Sequence, residues 1–368
     1  MTVISPTTRQ HRCRSRQGLT IVELLIAISI ISVVAGLALP AVFNAREAAR
    51  RVECQNRMRN VGFAILSSEE SARRFPASGY FASDGTDHHG WVLTVLPYLE
   101  QQNLYQEYDL KLPYLDSDNF ALTQTHLPVL TCPVDDTVID GQGNLSFAVN
   151  LGFGWTIPDD LPATWHQDTG ELPIDLNGDG HTGPQDSFVD KVGTDKEIFY
   201  RSGLFFVENW PQRTGTVRHH RVSTILDGAS NTIMLAENVR SGYDPYTGDT
   251  WGSPHPLRNG FILSGDVCVA ARCTTANVDY ARANRQMDRQ ADPPPTRREH
   301  LNAGLDQPEG ESPWATSWHD GGLFVCFADG RVTFLSEQVS GDVFAASLSP
   351  QGQFFDNSPL KQPVSVIE

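Results

Sequence analysis

One stretch, Leu24–Phe43, constrains this chain more than any other. It reads LLIAISIISVVAGLALPAVF, twenty residues without a charge. A helix of about 20 residues crosses a bilayer core of about 30 Å. Arg9, Arg12, Arg14 and Arg16 precede it, and the first eighteen residues hold no acid. The positive-inside rule keeps such a segment in the cytoplasm. Everything beyond Phe43 is therefore expected outside the inner membrane, in the periplasm or at the cell surface, on a single-pass anchor. Charge agrees with this division. The chain is −16 overall, and without its basic start it carries 24 basic against 44 acidic residues, a formal −20. So acidic a body excludes nucleic acid as a partner, because phosphates need a basic face. A cleaved secretory signal explains the run less well. The run is longer than an ordinary h-region, Ala38-Leu39-Pro40 and Ala41-Val42-Phe43 are poor small-x-small sites, and Glu23 stands at its mouth. A carboxylate beside lipid costs free energy and calls for a reason.

Arg16-Gln17-Gly18-Leu19-Thr20-Ile21-Val22-Glu23 supplies one. It resembles the prepilin signature of type IV pilins and type II secretion pseudopilins. The resemblance implies that a prepilin peptidase cuts between Gly18 and Leu19 and methylates Leu19. It also implies that Glu23 neutralises the amine of a neighbouring subunit as filaments pack in lipid, offsetting the desolvation of both charges. Pro40 fits the family's pattern, whereas Leu19 stands where Phe is usual. The implied partners are the prepilin peptidase, other pilin-like subunits or secretion machinery, and the membrane.

The chain divides into a leader (1–18), a pilin-type helix (19–75, spanning the membrane over 24–43) and an α+β head (76–368). From Asn44 to Arg74 there is no Pro, and helix formers dominate. A continuous helix from Leu19 to Arg74 would be about 80 Å long. Its apolar stripe reads Ala45, Ala48, Ala49 and Val52, then Val61, Ala64 and Ile65, and Pro40 is expected to kink it or loosen a turn. Phe75–Gly79 ends it. A short apolar segment, Trp91–Leu96, precedes a helix expected over Pro97–Tyr108. From Cys132 to about Gly265, apolar strings alternate with turn residues, as short strands and long loops do. Residues 274–313 read as a polar loop. Asp329-Gly330 between two apolar runs marks a hairpin over 323–335. With Ala328 paired to Arg331, Phe327 faces Val332 and Val325 faces Phe334, and both faces are expected to be buried. The fold class is α+β, with a mainly antiparallel head carrying long loops.

The spacing from His319 to Asp329-Gly330 resembles the H-x9-DG family of prepilin-associated proteins abundant in planctomycetes. Leu96-Pro97-Tyr98-Leu99-Glu100-Gln101, Leu130-Thr131-Cys132-Pro133, Asp227–Thr232 and Ala236-Glu237 look like the same family's strings. That resemblance implies architecture and location, not chemistry.

Asp175, Asn177, Asp179, His181 (through its carbonyl) and Asp186 have the spacing of an EF-hand or dockerin-type loop, with Gly180 at the sharp turn. A structural calcium ion is expected there, against the plainer reading of an acidic surface loop. Cys13 lies in the leader. Of the other cysteines, Cys268 with Cys273 and Cys54 with Cys132 are possible disulfides, and Cys326 is expected as a buried thiol. The adjacent pairs His88-His89 and His219-His220 cannot each chelate one metal easily on a strand. His319 with Asp329 invites an acid–base reading, but the turn already accounts for Asp329, and no G-x-S-x-G, H-E-x-x-H or P-loop is present. No catalytic residue is assigned. The expected protein is a structural pseudopilin-like subunit rather than an enzyme. The alternative is an anchored binding module for a surface glycan or envelope partner.

Overall fold

The computed structural model describes residues 20–82, 84, 86–139, 141–154, 194–208, 219–242, 249–264, 301–302, 305, 314–339 and 341–354. The chain separates into two compact units, Met1–Ala49 and Arg50–Glu368, described one at a time.

In the first unit, helix α1 (Ile21–Ala72) begins, and it continues without interruption through Pro40. Ile21 to Phe43 present a run of exposed large apolar side chains, among them Leu24, Ile31, Val33, Leu37 and Phe43. Such a surface suits lipid rather than water.

In the second unit, the rest of α1 is a core element. Its buried positions are Cys54, Met58, Val61, Gly62, Ala64, Ile65 and Ser68, spaced three and four residues apart as one helical face requires. The expected stripe was partly misplaced, since Val52 is exposed. Arg73 ends the helix in the left-handed region, at φ 56°.

Among the described residues, the head has a ribbon of β1 (Gly79–Phe81) with β2 (Asp87–Gly90) and a five-stranded sheet. The sheet order is β5 (Gly260–Ser264), β3 (Phe147–Gly154), β4 (Ile233–Glu237), β6 (Gly322–Phe327) and β7 (Val332–Ser336). The β3–β5 pair is parallel, and the other three pairs are antiparallel. Central strands β4 and β6 are buried at every position, which explains their apolar runs, interrupted by one charged residue, Glu237 at the end of β4. The short helices described are α2 (Trp91–Val95), α3 (Gln102–Glu107), α4 (Ser117–Thr123), α5 (Asp195–Ser202), α6 (Pro256–Asn259) and α7 (Gly341–Leu348). The head is thus α+β and mainly antiparallel.

Helix α1 lies close on β4 and β6. A Cβ at Gly62 would stand 2.6 Å from Cys326 Sγ and 3.6 Å from Met234 Cε, so only glycine permits this approach. Cys326 is a buried free thiol, as expected, and burial pushes it up to about 12.

The short apolar segment begins as a helical turn, Trp91–Val95, with all but one of its residues buried. Two local expectations are corrected. Pro97 does open a helical segment, but that segment is a 3-10 turn (Leu96–Leu99), separated from α3 by Glu100 at φ 61°. The hairpin is shifted by one residue. Cys326 pairs with Val332 and Phe324 with Phe334, while Phe327 N–H donates to the Arg331 carbonyl at 2.9 Å. The loop therefore has three residues, closed by Gly330 at φ 86°, which is the longer hairpin with a glycine bulge. β6 is buried on both faces, while β7 is only partly covered.

Candidate functional site

The first candidate site is the start of α1. Thr20 N–H and Oγ1 donate to Glu23 Oε2 at 2.9 and 2.8 Å, and Glu23 N–H donates to Thr20 Oγ1 at 3.3 Å. This is a capping box, in which two otherwise orphaned backbone donors are satisfied reciprocally. The T-x-x-E pattern was visible in the sequence and explains locally why an acid is tolerated there. Gly18 and Leu19 lie outside the described residues, as do Asp175, Asn177, Asp179, His181, Asp186, Cys268 and Cys273.

The second site is in the head, where four separate segments each bring one side chain to a common point. Cys54 comes from α1. Cys132 follows the 3-10 turn Pro128–Leu130, which α1 grips through Arg57, whose Nη1 donates to the carbonyls of Pro128 (2.8 Å) and Thr131 (3.0 Å). Glu237 is the last residue of β4. His319 leads into β6, its backbone N–H donating to Ser317 Oγ at 3.1 Å. All four are buried, at 0, 2, 0 and 2% exposure in that order. One ligand atom from each falls within 4.8 Å of all the others. Cys54 Sγ donates to Glu237 Oε1 at 2.9 Å, Cys132 Sγ lies 3.3 Å from His319 Nε2, and His319 Nε2 lies 3.5 Å from Glu237 Oε1.

The surroundings fix these groups. Glu237 Oε2 accepts from Phe324 N–H at 2.6 Å. The His319 ring meets Phe324 edge-on at 5.2 Å and Phe334 at 6.4 Å. Burial pushes the Cys54 thiol up, with Cys132 and Glu237 adding to the effect, and burial likewise raises Cys132. Cys54 and Cys132 are free thiols here, neighbours as their possible pairing required.

His319 and Asp329 do not form one site. Asp329 is exposed in the hairpin turn, where Oδ1 accepts from Arg331 N–H at 2.9 Å, whereas His319 is buried before the other end of β6. In the sequence Glu237 stands only in the family-like Ala236-Glu237 string, and nothing in one dimension links it to Cys54, Cys132 and His319.

A family model described as "Protein of unknown function (DUF1559)" matches residues 44–342, most of the chain. The chain belongs to the DUF1559 family. The match to DUF1559 takes in Cys54, Cys132, Glu237 and His319. A second model, the prokaryotic N-terminal methylation motif, matches residues 13–39 and so includes Gly18, Leu19 and Glu23. This DUF1559 protein is accordingly pilin-like, processed by a prepilin peptidase, and anchored in a membrane by one N-terminal helix. No curated protein and no solved structure matches it.

Proposed function

We propose that the protein is a structural, non-enzymatic, pseudopilin-like subunit of a type II secretion or type IV pilus-like assembly, with its head outside the inner membrane. The observation that carries this reading is the join of the methylation motif to a helix whose apolar side chains from Ile21 to Phe43 are exposed. A lone anchor needs the apolar length only. The motif adds a defined new N-terminus and Glu23, the charge that subunit packing uses.

Shearing native host cells and probing the released filaments tests it. Mature protein in that fraction, beginning at methylated Leu19 by mass, is the expected result. Glu23→Ala should be processed yet lost from filaments. Recovery only as a membrane-bound monomer would favour the alternative, an anchored module whose head recognises an envelope glycan or partner. The size of the second unit, Arg50–Glu368, supports keeping that reading.

We also propose that the loop from Asp175 to Asp186 holds a structural calcium ion, on its ligand spacing. Isothermal titration of the full chain in detergent should show calcium binding that Asp179→Ala weakens; no heat from the unmutated protein would reject it.

A further inference from the structure

We propose that Cys54, Cys132, Glu237 and His319 bind one structural transition-metal ion of the zinc class. The donor set comes first. Two sulfurs, an imidazole nitrogen and a carboxylate oxygen suit zinc and its borderline-soft neighbours, whereas calcium and magnesium prefer oxygen throughout. Geometry comes second. Bonds of about 2.3 Å to sulfur and 2.0–2.2 Å to nitrogen or oxygen make tetrahedron edges of roughly 3.3–3.8 Å. The observed separations of 3.3 and 3.5 Å fall in that range and the third, 2.9 Å, is shorter than it, with all four donors within 4.8 Å. A small outward movement of the donors would admit the ion.

Burial and support then set the kind of site. All four donors are inaccessible to water, so four protein ligands would complete the shell and leave no open position. Closed four-ligand sites are structural. The Glu237 carboxylate has Cys54 Sγ at 2.9 Å and His319 Nε2 at 3.5 Å beside it. A buried carboxylate is costly without a matching cation, and a divalent ion would be a strong one. The second carboxylate oxygen is already held by Phe324 N–H, the outer support that fixes a ligand's orientation. Finally, the donors come from helix α1, the segment after Leu130, the end of β4 and the segment leading into β6. One ion would staple four parts of the head that are distant in sequence, coupling metal binding to folding.

The competing arrangement is a Cys54–Cys132 disulfide, which would consume two of the donors. Full-length protein, purified in mild detergent without chelator, should contain about one zinc per chain by elemental mass spectrometry. Cys132→Ser and His319→Ala should each lower that content more than about tenfold. Because either variant can misfold, the unmutated chain supplies an independent measurement. After chelator stripping, Co2+ should give the intense visible bands and sulfur-to-cobalt charge transfer of a tetrahedral thiolate site, and Zn2+ should abolish them. A weak octahedral cobalt spectrum, a folded variant that keeps its zinc, or a Cys54–Cys132 disulfide recovered by peptide mapping from the native host would overturn the proposal.

Discussion

Asn150 ties β3 to two other segments through its side chain. It is fully buried in β3. Its Nδ2 donates to the carbonyls of Ile233 (2.7 Å) and Leu348 (2.8 Å), and its Oδ1 accepts from Gly152 N–H at 2.8 Å. Asn150→Ala would strand buried polar groups on three segments, at about 1–3 kcal/mol for each left unpaired. A loss of at least about 3 kcal/mol is expected in urea unfolding. Gly62→Val should cost about 1–3 kcal/mol by overpacking against Cys326, read as a lower melting temperature. His89 stacks on Tyr80 at 4.4 Å, and burial, aided by nearby His88, pushes its pKa down to about 3. The folded form thus stays neutral where the unfolded chain, near 6.5, takes up a proton. The stability tied to this group is complete above about pH 6.5 and is lost as pH falls towards 3, with a slope of at most about 1.4 kcal/mol per pH unit. His89→Gln should flatten urea midpoints measured across that window. The N-terminal methylation motif was legible because its pattern is local in sequence. Cys132 and His319 could be noticed, but their meeting with Cys54 and Glu237 depends on β4, β6 and α1 packing together.

At the level of elements, small residues concealed part of the pattern. The buried face of α1 includes Cys54, Met58, Gly62 and Ser68, which interrupt the run of aliphatic residues that marks a core stripe. Val52 looked like part of that stripe but is exposed. The hairpin was recognised from Asp329-Gly330, yet its register slipped because the dipeptide fits a two-residue turn as well as a three-residue loop with a bulge. A slip of one residue exchanges the faces of a strand. Only the fold decides it, through the Phe327–Arg331 backbone bond and the approach of Phe63 on α1 to Gly330. Gly330→Ala would be strained twice, by φ 86° and by a Cβ 2.8 Å from Phe63 Cε1. A destabilisation of about 1–3 kcal/mol is expected in thermal melts.

Over the whole molecule, the long apolar N-terminal helix and the α+β class of the head were legible. The helix stands out because a bilayer imposes length and charge rules on a single segment. Head topology was not legible, since β4 pairs with β3 and β6 across long intervals of chain. Gly18→Val should block processing and leave the four leader arginines attached, while the protein still enters the membrane. The N-terminal mass of membrane-extracted protein checks this. One further consequence concerns length. His319 stands just before β6, and Asp329-Gly330 turns the chain just after it, so the nine residues between them span one strand with its flanks. The interval works as a ruler. Adding or removing one residue would rotate everything beyond the change to the opposite face, unseating either the histidine from its buried partners or the turn from α1. A library of single-residue insertions should therefore be intolerant throughout this interval.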